Sequence, residues 1–89
     1  MFSSIHNYYE QVVLERIQIV MRERDEVADQ ELMEDIACIA LNHLPPRYIR
    51  HNVDMASNIT DREWEEMHAL IVRIVNDAID FAKRRQVPR

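Results

Sequence analysis

Four neighbouring side chains, Arg47, Tyr48, Arg50 and His51, are the ones in this chain best suited to binding a ligand. Each arginine presents N–H donors in a rigid fork, which matches phosphate oxygens or the O6 and N7 acceptors of guanine. Either guanidinium plane, or the Tyr48 ring, can also stack on a purine. The pattern predicts a small site for a phosphate or a purine nucleotide.

The charge pattern favours a local anion site. The net charge is −5, yet no acidic residue occurs between Asp35 and Asp54, and the basic residues named above lie inside that window. A protein that binds nucleic acid would carry a basic face across the whole domain, so we expect no DNA or RNA partner. In the alternative, Tyr48 packs on the core and the arginines are solvated or pair with surface acids such as Asp54.

Two prolines position these residues. Pro45 and Pro46 lack a backbone N–H, and a proline disfavours helical angles in the residue before it. A helix that runs from Ile36 to Leu44 must therefore end at this pair. The chain contains no glycine, so the pair forms a stiff corner that directs the residues after it.

The same stretch carries a family resemblance. Residues 35–48 read DIACIALNHLPPRY, and this run resembles the signature of the late competence development ComFB family. The NYYE segment at residues 7–10 is also similar, as is the length of 89 residues. The resemblance predicts one ComFB-like helical domain over residues 1–89.

The resemblance implies a receptor for a cyclic dinucleotide, with cyclic di-GMP as the expected ligand. Because no membrane span or leader is evident in the sequence, we expect the protein to be cytoplasmic. Arg47, Tyr48, Arg50 and His51 would bind the dinucleotide, and the receptor would signal through an effector protein in motility, pilus or competence control. In a homodimer these groups occur twice, which suits a two-fold ligand. The alternative is a ligand-free dimeric adaptor that docks such a component.

No metal or other cofactor is expected. Some family members carry a cysteine cluster suited to zinc ahead of the DIA run, but here residues 25–31 read DEVADQE. The single cysteine, Cys38, has apolar neighbours and is predicted to lie in the core. Glu65 and His68 form one E-x-x-H, half of a di-iron motif, without a second copy. His43 is predicted to cap a helix end.

Neither catalysis nor membrane insertion is predicted. No serine or cysteine nucleophile has a general base at a recognisable spacing, so we expect no enzyme. No apolar run approaches the roughly 18 residues of a membrane span, and no charged-then-apolar leader opens the chain.

The periodicity predicts a small all-α domain of three to four helices. The first helix runs from about residue 4 to about residue 24, and Asp29 is the expected N-cap of the second. Residues 47–59 read as a short strand or an irregular loop. Thr60 then opens the last helix, with Glu63 completing a capping box.

The last helix carries a heptad pattern, which is typical of helices that pair with each other. We expect a homodimer through this helix or the first one, and a wide core face in a compact monomer is the alternative. Val75 and Ile79 are among the residues that add a second apolar edge. The heptad residues are Trp64, Met67, Ile71, Ile74, Ala78 and Phe81.

Overall fold

The computed structural model describes residues 4–51 and 59–85. In chain order these residues form strand β1 (His6–Asn7), helices α1 (Tyr8–Glu23) and α2 (Gln30–Asn42), strand β2 (Tyr48–Ile49) and helix α3 (Asp61–Arg85). The prediction of a small, mostly helical domain is confirmed. No helix among the described residues combines the length and the apolar character needed to cross a membrane.

The three described helices pack against one another around one apolar core. Each contributes side chains that are fully buried, and these repeat at the three- and four-residue spacing of a helix face. The core therefore lies between the three helices. The loop after the prolines lies outside it, at the N-terminal end of α1. Its fully buried members include Val13, Ile17, Ile36, Val75 and Ile79.

The first helix starts later than predicted. Residues 6 and 7 are extended and pair antiparallel with β2, so that His6 lies opposite Ile49 and Asn7 opposite Tyr48. Asn7 has φ −76° and ψ 117°, and its side chain accepts a hydrogen bond from the backbone N–H of Tyr9. With Asn7 as its N-cap, the helix begins at Tyr8, although the apolar pattern starts earlier in the sequence. The short strand, one of the two readings of residues 47–59, is confirmed at β2.

The predicted caps are confirmed. The Asp29 carboxylate accepts the backbone N–H of Leu32 at 2.8 Å, and Thr60 Oγ1 accepts that of Glu63 at 3.1 Å. At the end of α2 the imidazole Nδ1 of His43 donates to the carbonyl oxygen of Ile39 at 2.7 Å. Each of these polar contacts satisfies a helix-end group that has no partner within its own helix.

The heptad pattern of α3 does not form one continuous buried face. Ile71 and Ala78 lie in the core, whereas Trp64 is 42% and Phe81 40% exposed. A straight helix drifts by about 20° per heptad, so a 3.5-residue repeat leaves the core face over a helix of this length. The fully buried residues of α3 include Val75, which belongs to the second apolar edge.

The prediction for Cys38 is wrong, because its side chain is exposed. Ile36 and Ala40 both turn into the core. Cys38 lies two residues from each, about 200° around the helix, and therefore points outwards. Ala37, Ile39 and Leu41 are only half-buried, so the helix leaves apolar surface uncovered.

Ion pairs fasten the end of α1 to α3. Arg24 Nη2 lies 2.7 Å from Asp80, and Lys83 Nζ lies 2.8 Å from Glu26. The hydrogen bond from Arg24 lowers the pKa of Asp80, and the Lys83 ammonium group beside Glu26 lowers the pKa of that carboxyl. Because the pKa values of both carboxyl groups are lowered in the folded state, these contacts stabilise the fold at neutral pH. That stabilisation is lost as the pH falls through the lowered pKa values and the carboxylates are protonated. Asp25, at φ 53°, makes the left-handed turn between the helices.

Candidate ligand-binding site

The backbone of Arg47 is held by the N-terminal end of α1. Its N–H donates to Asn7 Oδ1 at 3.0 Å, and its carbonyl oxygen accepts the N–H of Tyr8 at 2.6 Å. The same Asn7 oxygen accepts the N–H of Tyr9 at 3.3 Å, as the N-cap of α1. One side chain thus starts a helix and fixes the loop that follows the prolines.

Sequence reasoning did not single out Asn7. The local signal for it was present, since asparagine ahead of an apolar helical pattern is a preferred N-cap. Its bond to Arg47 carried no such signal, because the two residues are 40 positions apart in the chain.

The four predicted site residues remain close together but do not share one face. Tyr48 is 68% exposed, so the alternative is wrong in packing this ring on the core, whereas the exposed Arg47 and Arg50 agree with its second part, in which the arginines are solvated. Ile49 points into the core, and Arg50 and His51 are exposed. Because side chains alternate along an extended segment, Tyr48 and Arg50 lie on the outer side of the loop.

Arg47 instead lines a cleft of about 230 Å³ beside the core. Tyr9, Met67 and Leu70 supply apolar surface to this cleft, and the carboxylates Glu63 and Glu66 of α3 supply acceptors. We call it the Arg47 cleft. Sequence reasoning missed both glutamates as site residues, because only the fold brings the first turns of α3 beside the post-proline loop. Its remaining lining residue is Ile59.

The charged groups of the Arg47 cleft are not bonded to one another. Within residues 4–51 and 59–85 none of the ion pairs involves Arg47. Glu66 accepts from Arg62 Nε at 3.0 Å, and Glu63 accepts from the Thr60 hydroxyl at 3.2 Å. Pairing of the loop arginines with Asp54 concerns a residue that lies outside the described ranges.

An aromatic cluster borders the site. Tyr8, at the start of α1, packs edge-on against Tyr9 with ring centroids 5.9 Å apart, and lies 6.4 Å from the Trp64 ring of α3. Burial raises the pKa of the Tyr8 hydroxyl above its ordinary value. The rings hold the first turns of α1 and α3 together on either side of the loop.

The described residues contain no group of three or more His, Cys, Asp or Glu side chains placed to hold a metal ion. His68 of the E-x-x-H pattern contacts Arg16 Nη2 through its Nε2 at 3.2 Å. A guanidinium can only donate, so Nε2 accepts in this contact. His68 therefore joins α3 to α1.

A second opening, the α2–α3 groove, lies on another part of the surface and has a volume of about 320 Å³. Ile39, Ile74 and Phe81 form much of its apolar lining, and Asp77 and Arg84 add charges. The guanidinium of Arg84 also lies 5.9 Å from the centre of the Phe81 ring. The groove is distinct from the Arg47 cleft and shares none of its lining residues.

These features define the class: a small helical domain in which a Pro-Pro corner and an N-cap asparagine hold a basic loop against the first helix. The family model of the late competence development protein ComFB matches residues 6–86, from β1 to the end of α3. The chain belongs to the ComFB family. A comparison with curated proteins gave no match.

Proposed function

We propose that this protein is a non-enzymatic receptor for cyclic di-GMP. The observation that supports it most strongly is the anchored backbone of Arg47, which bonds to Asn7 and Tyr8 after the proline corner and is followed directly by Tyr48 and Arg50. A site that is ordered before binding loses little entropy when the ligand arrives. The family membership is compatible with a role in competence.

The exposed side of the loop is suited to the sugar-phosphate part of the ligand. Arg50 donates to phosphate oxygens, and His51 adds a second donor next to it. Tyr48, with two thirds of its side chain exposed, stacks on a purine. Arg47 extends from the same segment into the cleft and reaches a base edge.

We also propose that the receptor is a homodimer. Within the protomer Ile71 and Ala78 are already buried, so they are not available to a partner. The rest of the predicted interface keeps accessible surface, and Phe81 adjoins the α2–α3 groove. A two-fold dimer presents two copies of the loop to a ligand that has two guanines and two phosphates. The interface residues that keep accessible surface are Trp64, Met67, Ile74 and Phe81.

A change in the loop on binding would alter the affinity of the dimer for an effector protein of motility, pilus or competence control. The second candidate is a ligand-free dimeric adaptor, and the α2–α3 groove favours it. That groove combines apolar side chains with one acidic and one basic residue at its edge, which suits a protein partner.

Isothermal titration with cyclic di-GMP tests the receptor directly. We expect saturable binding by the wild-type protein and a loss of about tenfold or more in affinity for Arg50→Ala, because a charged hydrogen bond to phosphate is removed. Arg22→Ala removes an exposed arginine at the far end of α1 and is the matched control. Absence of heat with the folded wild-type protein would leave the adaptor as the better account.

A further inference from the structure

The Arg47 cleft has donors on one side and acceptors on the other. Arg47 brings only N–H donors, and the carboxylates of Glu63 and Glu66 bring only acceptors. The three exposed residues line one open cleft of about 230 Å³, and no ion pair joins Arg47 to either glutamate. A guest that bonds to all three groups presents acceptors towards the loop and donors towards α3.

Guanine has this arrangement of polar groups. Its O6 and N7 atoms are adjacent acceptors that an arginine fork contacts with two hydrogen bonds. Its N1–H and its 2-amino group are adjacent donors, and a carboxylate can accept from both. Adenine lacks the 2-amino group and carries a lone pair at N1, which would face the carboxylate and repel it.

The surroundings keep the phosphates out of the cleft. The two carboxylates of the cleft disfavour a further anion such as a phosphate beside them. The basic side chains Arg50 and His51, which suit phosphate, lie outside the cleft on the exposed loop. Met67 and Leu70 provide apolar surface for the faces of a neutral base. In this arrangement the base of a nucleotide occupies the Arg47 cleft, and its phosphate groups lie on the outer side of the same loop, beside Arg50.

We propose that Glu63 and Glu66 make this site selective for guanine over adenine by accepting from N1–H and the 2-amino group, with Arg47 contacting the adjacent O6/N7 edge of the base. The inference rests on the proposed receptor function and extends it to the choice of nucleotide. A site that hydrogen-bonds a donor of its ligand strongly rejects an analogue without that donor, because its own acceptor is then left unpaired.

The test compares the dissociation constants of cyclic di-GMP and cyclic di-AMP for wild-type protein and glutamine variants. We expect the wild-type protein to prefer cyclic di-GMP by about tenfold or more, as one bidentate base contact provides. Glu66→Gln and Glu63→Gln keep the shape of the side chain but replace one acceptor oxygen by a donor. Each should reduce the preference by about tenfold, mainly through weaker binding of cyclic di-GMP.

Two control variants separate base recognition from other roles of these glutamates. Glu65→Gln changes an exposed carboxylate of the same helical turn that does not line the cleft, and Arg62→Gln removes the ion-pair partner of Glu66. Both should retain the wild-type preference. A Glu66→Gln effect that Arg62→Gln reproduces in full would assign the effect to the ion pair and overturn the proposal.

The remaining outcomes distinguish failure of the proposed receptor function from failure of the proposed selectivity for guanine. If wild-type protein binds neither nucleotide, the receptor function fails and this inference fails with it. If cyclic di-GMP binds but both glutamate variants keep the wild-type preference, the inference alone is wrong and the receptor stands. If the wild-type protein binds cyclic di-AMP more tightly than cyclic di-GMP, the proposed selectivity for guanine is likewise wrong, whereas the receptor function stands.

Discussion

Asn7 joins the two local structures on which the site depends. Its side-chain oxygen accepts from Tyr9 at the start of α1 and from Arg47 after the proline corner. Arg47 in turn accepts the N–H of Tyr8, so the loop and the helix end are bonded in both directions. The position of the candidate arginine is therefore a property of the α1 N-terminus as much as of the prolines.

Replacing Asn7 by alanine should affect both stability and binding. We expect a loss of about 1 kcal/mol in the free energy of unfolding, the usual result of removing an N-cap, together with weaker cyclic di-GMP binding. Asp29→Ala removes the N-cap of α2 and is the matched control, with a similar loss of stability but wild-type affinity. Urea denaturation and calorimetric titration measure the two quantities. Equal affinities of the two variants would contradict the anchoring role of Asn7.

At the residue scale the sequence predicted the members of the basic loop but not their surroundings. Arg47, Tyr48, Arg50 and His51 were predicted as ligand-binding residues from their chemistry and from the absence of nearby acids, and that role stays a prediction. The glutamates of the Arg47 cleft could not be identified in this way, because their position opposite the loop depends on helix packing between distant segments.

At the element scale, α3 shows which parts of a sequence pattern are reliable. The Thr60 cap was predictable because its signal lies within four residues. The orientation of the helix was not, since two apolar edges were available and α1 and α2 decide which one is covered. Val75 and Ile79, on the second edge, prove to be completely buried. The pairing of β1 with β2 was equally unpredictable, because each strand has only two residues.

The assignment of the core face of α3 can be tested with two alanine substitutions. Ile79→Ala should lower the free energy of unfolding by about 2–5 kcal/mol, because it leaves a cavity in a fully buried position. Phe81→Ala removes a larger side chain that is 40% exposed in the protomer, and should have a smaller effect on protomer stability. Chemical denaturation of both variants at one protein concentration provides the comparison. A greater loss for Phe81→Ala would favour the heptad face as the core.

At the scale of the whole molecule, the described part of the fold leaves apolar surface exposed on α2 and α3. The outer side of α2 carries the exposed Cys38, and Phe81 of α3 is exposed beside the α2–α3 groove. A chain of 89 residues buries only part of its apolar surface alone. A second copy that covers this side would extend the core, which is the physical reason for the proposed homodimer.

Sedimentation equilibrium tests the dimer. We expect a mass of about twice the 10.7 kDa of one chain, and a shift towards the single-chain mass for Phe81→Asp, which places a charge in the proposed interface. Val27→Asp is the control, because Val27 is 95% exposed and does not line the groove. A wild-type mass equal to that of one chain would remove the two-fold arrangement of the site.

The most direct test of the receptor is the affinity of Arg47→Ala for cyclic di-GMP, measured by calorimetric titration beside wild-type protein and Arg22→Ala. The proposed contacts predict saturable binding by wild-type protein and by Arg22→Ala, with a loss of about tenfold or more for Arg47→Ala. Circular dichroism of each variant establishes that the helices are retained. Wild-type affinity in a folded Arg47→Ala protein, or no binding by the wild-type protein, would contradict the account.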